Sequence, residues 1–287
     1  MKLTMLAPAK LNLFLDITGK RSDGYHIVNM VMQAVSLYDE VTVSLAEELR
    51  VECSDSRIPC DETNTAYRAA RAFFEYIHQP DAGALIRIKK RIPSQAGMAG
   101  GSTDAAAVLV ALNELTESEL SQDELADIGE QIGADVPFCV YGGTMTAGGI
   151  GTILSPLPDM PDCSIVIVKP DIAISTAEAY RLSDKKGYDT LADSETVVGG
   201  IAEGDIAEIG KGLYNKFEDI VSIPEIEDIK QIMSEFGVAG ACLTGSGSAV
   251  FGVFENRNQA EDCEDYLSRR FAQVFLVSPV ATGPVIK

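Results

Sequence analysis

The stretch Pro93-Ser94-Gln95-Ala96-Gly97-Met98-Ala99-Gly100-Gly101-Ser102-Thr103-Asp104-Ala105-Ala106-Ala107 decides how this chain is read. Gly97, Gly100 and Gly101 give way to small polar residues and then to an alanine-rich apolar run through Asn113. The pattern predicts a flexible loop feeding the N-terminus of a buried helix. Such a loop turns several backbone N–H groups towards one point, and the helix end adds partial positive charge. A plain turn before a core helix needs fewer glycines. With Ser102 and Thr103 at the helix start, phosphate is the favoured occupant.

The common phosphate loops do not match. No Lys follows Gly100 or Gly101 as a Walker motif requires, and no Gly stands at 95 or 99 to complete a dinucleotide fingerprint. The His-Arg-Asp and Asp-Phe-Gly motifs of protein kinases are absent. Just upstream, Lys89-Lys90-Arg91 is the one dense basic run. It reads either as a solvated strand edge or as positive charge placed beside the loop for an anionic ligand.

Further out, residues 10–17 alternate. Leu11, Leu13, Leu15 and Ile17 share one face of a predicted strand, with Lys10, Asn12 and Asp16 on the other. Strands are also expected near 40–46, 48–53 and 84–92, with helices over 63–78, 102–115 and 122–132. Pro156, Pro158 and Pro161 mark a linker. Beyond it, a buried strand at 164–169 precedes helices near 175–182, 224–236 and 257–270. A strand-turn-strand spans 239–254, and a last strand covers 271–278. Segment 183–215 gives no clear pattern. Grouped strands and helices without regular alternation favour an α+β class, with domains at 1–155 and 156–287.

The chain has 287 residues, 46 % of them hydrophobic, and a net charge of -20. That charge argues against nucleic acid or an anionic membrane as partner. No run approaches the ~20 apolar residues of a membrane span, and Pro8 and Lys10 interrupt any signal-like N-terminus. Six scattered cysteines without a Cys-x-x-Cys pair suggest reduced thiols in a cytoplasmic protein. A Cys53–Cys60 bridge is the alternative for that pair. With His26 and His78 the only histidines, a multi-His metal site is excluded.

Three further segments bear on chemistry. Thr244-Gly245-Ser246-Gly247-Ser248 is either a hairpin or a second place where backbone approaches a ligand. Gly133-Ala134-Asp135-Val136-Pro137 holds an acid in an apolar turn, as a helix cap or as a base for a substrate hydroxyl. Lys10 is its natural electrostatic complement. Gly24-Tyr25-His26 closes a glycine-bounded turn with a flat aromatic face suited to a ring.

Together these segments resemble the GHMP small-molecule kinases. Pro8-Ala9-Lys10-Leu11-Asn12-Leu13 is similar to the first motif of that family, Pro93 to Ala107 to the second and Leu243 to Gly252 to the third. Arg21-Ser22-Asp23-Gly24-Tyr25-His26 and Gly133 to Phe138 are similar to the branch that phosphorylates 4-diphosphocytidyl-2-C-methyl-D-erythritol in non-mevalonate isoprenoid synthesis. The match runs in family order from residue 7 to about 254. It departs from the family at Met98, Thr103, Ser248 and Ala249, and after Gly148.

The resemblance implies an ATP-dependent kinase with its active site between two domains. It makes Asp135 the general base and Lys10 its partner. Pro93, Gly97, Gly100, Gly101, Ser102 and Thr103 cradle the phosphates of ATP, and Asn64 stands at the adenine end. Asn12 and Gly245 meet the acceptor, while Tyr25, His26 and Tyr180 meet its cytidine diphosphate moiety. Mg2+ accompanies ATP. A related kinase for another small alcohol and a non-catalytic nucleotide-binding regulator are the alternatives; the pairing of Lys10 with Asp135 argues against the regulator.

Overall fold

The structure, a computed structural model, describes residues 1–188, 192–220 and 223–287. Its elements begin with β1 (Lys2–Lys20), β2 (His26–Ala46), β3 (Arg50–Cys53), α1 (Thr65–Tyr76), β4 (Gly83–Lys89) and α2 (Gly100–Thr116). Next come α3 (Gln122–Glu130), α4 (Val136–Tyr141), β5 (Thr144–Gly148), β6 (Ile153–Pro156), β7 (Ser164–Val168) and α5 (Thr176–Lys186). Then follow α6 (Glu195–Glu203), α7 (Ile206–Gly212), β8 (Tyr214–Asn215), α8 (Pro224–Glu235) and β9 (Gly240–Leu243). The chain closes with β10 (Val250–Phe254), α9 (Arg257–Ser268), β11 (Val274–Val277) and β12 (Val285–Ile286). Pairing is mostly antiparallel, and helices and strands are grouped, so the α+β expectation holds.

One sheet runs β12-β1-β2-β4-β3, with β5 and β6 continuing from β2 and β8 lying beside β1. The other runs β11-β7-β10-β9. Two strands from beyond residue 156, β8 and β12, therefore complete the first sheet.

The first strand is longer than its alternating core suggested, because it pairs with β2 from Lys2↔Ser44 to Lys20↔His26. A bulge between Asn12 and Phe14 changes its faces. An inserted residue reverses every later side chain. Leu11 and Leu13 accordingly pack in one apolar cluster with Val31, Ile167 and Phe251, while Leu15 and Ile17 pack in the other. The single leucine face read from 10–17 is thus two faces.

Helix α2 is apolar almost all round and carries ten buried residues, as an alanine-rich central helix must. It packs on β1, β2 and the helices α1, α3 and α4. Asn64 caps α1 by accepting from Ala66 N, and α3 starts with a reciprocal Ser121–Glu124 capping box. Helix α4 escaped the sequence reading because six residues rich in aromatic and β-branched types carry no helical period. In the segment that gave no pattern, α6 and α7 form, and 189–191 lie outside the described residues. Glycine spacing there serves contact: a Cβ on Gly210 would lie 2.3 Å from the Ala239 carbonyl oxygen. All six cysteines are free thiols. No helix among the described residues is long and apolar enough to cross a membrane.

Candidate active site

The loop before α2 is built on left-handed backbone. Gln95, Gly97 and Ala99 have φ of 53°, 75° and 56°. Alternating left-handed residues turn successive N–H groups to one side, making an anion-binding concavity. Ala99 is also the N-cap of α2 and supplies no side-chain cap, which leaves the first N–H groups of that helix open. Gly100 and Gly101 serve a different purpose. A Cβ on either would meet Lys90 Nζ and Ile92, or Thr65 Oγ1, at 3.2 Å.

This loop touches the third glycine segment. A Cβ on Gly97 would lie 2.0 Å from the Thr244 carbonyl oxygen, and Gly245 approaches Gly97 from the other side. Thr244 Oγ1 donates to Gly97 O at 3.3 Å, and Asn12 N donates to Thr244 Oγ1 at 3.0 Å. Asn12 Oδ1 accepts from Gly245 N at 3.1 Å. Three segments far apart in sequence are pinned at one point. The result is a cleft of about 770 Å³ lined by Lys10, Asn12, Gly97, Ser102, Asp135, Tyr180 and Gly245 among others. A neighbouring hollow of about 330 Å³ is lined by Asn64, Pro93, Gly100, Gly101 and Asp104, and shares Gln95, Gly97 and Ala99 with the cleft.

Lys10 is buried, and its ammonium donates to Asn12 Oδ1 at 2.5 Å. Asp135 sits at the start of α4 with no side-chain cap bond, and its carboxylate has no ion pair or hydrogen bond among the described residues. The two charges share the cleft without pairing. Both are felt by Cys139, one turn into α4: burial pushes its thiol up, Asp135 adds to the rise and Lys10 opposes it. Tyr180 is pushed up to about 12, first by burial and then by the Asp135 charge. An unpaired carboxylate beside a bound ammonium can accept a proton from a hydroxyl placed between them.

Three expectations are corrected. Each cation of the run Lys89-Lys90-Arg91 has a carboxylate partner within the protein. Antiparallel pairing sets Glu40 opposite Lys89, and Glu40 takes Lys89 at 3.7 Å and Arg91 at 2.8 Å. Lys90 is buried against Asp39 and, at 2.7 Å, Asp104. Asp16 does not join Lys10 and Asn12, because the bulge turns it away from the cleft towards Lys216 and Asp219. Burial is the main cause raising its pKa. Thr103 is fully buried, and its N–H is spent on Ala99 O at 2.9 Å, so Ser102 is the hydroxyl of that pair that lines the cleft.

At the outer end, the His26 ring stacks on Tyr180 with centroids 4.5 Å apart, and Tyr180 meets Phe217 edge-on at 5.1 Å. Tyr25, next to His26 in sequence, is 61 % exposed, and neither of the two lines the cleft. Asn64 lines the smaller hollow, but its side chain is committed to Ala66 N and Pro59 O. Two supporting residues were missed. Asn215 donates to Leu243 O at 2.8 Å and Gly245 O at 2.9 Å, holding the third segment. Thr176 Oγ1 meets Ser246 Oγ at 2.7 Å. Nothing local marks either; a buried Asn in an apolar stretch is the only hint.

Known proteins resemble this chain in sequence and fold. Residues 64–143 match the model of the GHMP kinase N-terminal domain and residues 197–273 that of the C-terminal domain. The chain is 41 % identical over 273 residues to the 4-diphosphocytidyl-2-C-methyl-D-erythritol kinase of Alkaliphilus metalliredigens, covering 94 % of each. It is also 41 % identical to the protein of that name from Clostridium tetani, covering 94 % of this chain and 97 % of the other. A crystal structure of 4-(cytidine 5'-diphospho)-2C-methyl-D-erythritol kinase superposes with a TM-score of 0.81 at 31 % identity, covering 97 % of this chain and 99 % of that one. A homoserine kinase from Cytophaga hutchinsonii shares the fold, with a TM-score of 0.80 at 20 % identity, covering 100 % of this chain and 97 % of that one.

Proposed function

The chain belongs to the GHMP kinase family, and from that premise we propose that it transfers the γ-phosphoryl group of ATP to the C2 hydroxyl of 4-diphosphocytidyl-2-C-methyl-D-erythritol. The reaction serves isoprenoid precursor synthesis by the non-mevalonate route, in the cytoplasm. The observation that carries the reading is the unpaired Asp135 carboxylate in one cleft with Lys10 and the left-handed loop. A base, a cation and an anion cradle are the parts phosphoryl transfer to an alcohol needs.

In this reading ATP lies with its adenine in the hollow near Asn64 and Pro93. Its phosphates rest on the N–H groups around Gly97, Gly100, Gly101 and Ser102. Asp135 takes the proton of the acceptor hydroxyl as that oxygen bonds to the γ-phosphorus, while the bond from that phosphorus to the β–γ bridging oxygen breaks and ADP leaves. Lys10 is steadied by Asn12, and its charge favours the charge that develops on the transferring group. Asn12 and Gly245 set the depth of the acceptor. Its cytosine reaches the Tyr25, His26 and Tyr180 cluster. Residues 1–155 form the ATP-binding domain and 156–287 complete the cleft.

Mg2+ would enter with the nucleotide. No group of three or more His, Cys, Asp or Glu able to hold a metal occurs among the described residues. The Ser102 hydroxyl at the start of α2 fits an ion carried mainly by the triphosphate. When bound, the ion neutralises phosphate charge.

The test is ATP consumption by purified protein with a panel of alcohols: the cytidylyl-methylerythritol, homoserine, mevalonate and galactose. Turnover confined to the cytidylyl compound is expected. Turnover with another alcohol alone overturns the cytidine assignment, and ATP binding without turnover on any overturns the kinase.

A further inference from the structure

Asn215 is 1 % exposed and lies in β8, whose parallel pairing sets it beside Leu15 of β1. Both hydrogens of its amide are spent on backbone carbonyls, Leu243 O at 2.8 Å and Gly245 O at 2.9 Å. Its oxygen accepts from Phe217 N at 3.0 Å, so the amide cannot turn over without losing all three bonds. The two carbonyls belong to the peptides on either side of the Thr244–Gly245 peptide. The Asn215 amide therefore straddles that peptide and pins it from both flanks. The N–H of the straddled peptide, on Gly245, donates to Asn12 Oδ1 at 3.1 Å. The same oxygen accepts from Lys10 Nζ at 2.5 Å, while Asn12 Nδ2 meets the weak acceptor Met30 Sδ at 3.2 Å.

We propose that Asn215 is a positioning residue for Lys10, acting through the Gly245 N–H and the Asn12 amide. The inference rests on the role of Lys10 in the phosphoryl transfer proposed above. Two donors on one oxygen hold the Asn12 amide with that oxygen towards Lys10. Turned over, the amide would set its NH2 group against the ammonium. Of the two donors, the Gly245 N–H is the one carried by backbone. Gly245 has no side chain to hold its left-handed conformation, with φ at 55°, so the clamp has to come from outside. Without the Asn215 amide, two buried carbonyls lose their donor and the peptide between them is free to rotate. Asn12 then loses one of its two anchors, and Lys10 its fixed place in the cleft. Asn215 is absent from the lining of the cleft, so it reaches the reaction through this relay.

The test measures kcat on the cytidylyl compound, and ATP binding by calorimetry, in the wild type, Asn215→Ala, Asn12→Ala, their double variant and Glu218→Ala. Asn215→Ala should lower kcat about 10–100-fold, the scale of a small misplacement at the reacting centre, with ATP binding nearly unchanged. In the Asn12→Ala background the same change should cost at most about threefold, because the relay is already cut. Glu218 accepts from Leu243 N and ties the same strand, with no bond to Gly245 among the described residues. Glu218→Ala should therefore lower the urea midpoint but keep kcat. If Asn215→Ala does not fold, Asn215→Asp carries the comparison. It keeps the shape and the acceptor for Phe217 N, but when ionised gives no hydrogen to either carbonyl. An unchanged kcat on loss of the Asn215 amide, or losses that multiply in the double variant, overturns the inference while leaving the kinase standing. Equal kcat losses in Glu218→Ala and Asn215→Ala reduce Asn215 to a structural tie and overturn it as well. A wild type inactive on the cytidylyl compound, or a Lys10→Met variant with unchanged turnover, removes the underlying reading instead.

Discussion

Lys10 and Lys90 are both buried lysines close in space to the glycine loop before α2, yet their surroundings have opposite characters. Lys10 faces one neutral oxygen, Asn12 Oδ1, and shares its cleft with an unpaired carboxylate. Lys90 is enclosed by Asp39, Asp104 and the Gly100 carbonyl, and its charge is consumed there. The difference teaches that a cation helps a ligand only when the fold withholds a protein counter-charge from it. Lys90 instead fastens the end of β4 to the start of α2, and so steadies the loop from behind. Asp39 completes the fastening by accepting from the N–H groups of Arg91 and Ile92.

The contrast predicts a separation of activity from stability. On the Lys10 side, Asp135→Asn should lower kcat by about 10²–10⁴-fold with little change in ATP affinity, because a positioned base contributes that much. Near-normal turnover in steady-state assays removes Asp135 from its proposed role. On the Lys90 side, Lys90→Met leaves the buried Asp39 carboxylate and the Asp104 carboxyl without their cation, and should destabilise the fold by ~3–5 kcal/mol. Lys10→Met should cost turnover but little stability, since Asn12 Oδ1 keeps its bond from Gly245 N. Urea denaturation of both variants decides this, and equal losses would erase the distinction between the two lysines.

The last prediction is a pH dependence. Asp104 is raised to about 8, first by burial, with Lys90 opposing and Asp39 adding. A carboxyl whose folded pKa lies above its unfolded value stabilises the fold most at low pH. That contribution fades as pH rises from about 4 towards about 8. Relative to the wild type, Asp104→Asn should therefore show a flatter stability curve across that window. Parallel denaturation midpoints for the two proteins would show that Asp104 ionises as it does in the unfolded chain.

The candidate site was legible in the sequence wherever its requirement was local. The glycines around 97–101, the alanine-rich helix behind them and the acid in Gly133-Ala134-Asp135 each state a backbone or side-chain demand within a few residues. The long β1–β2 pairing was only partly legible, because the strand extends through residues whose burial comes from neighbours rather than from alternation. The reading failed at Asp16, where one inserted residue near Leu13 reverses the faces. A bulge leaves no mark in the alternation of polar and apolar types when both faces are buried. It failed again at Lys90, whose two acidic partners lie 51 and 14 residues away.

By itself, the sequence determined that a glycine loop would open onto a buried helix, that Asp135 and Lys10 were available for proton and charge chemistry, and that an α+β chain would carry them. These follow from conformational freedom, helix-end electrostatics and residue chemistry, all of which act over short stretches of chain. Only the tertiary structure decided that Lys10 stays open while Lys90 is neutralised, that Asp16 leaves the cleft, and that Asn215 reaches Gly245. Charge and hydrogen-bond partners are set by distance through space, and pairing across sheets and helices fixes that distance without a local trace in the chain.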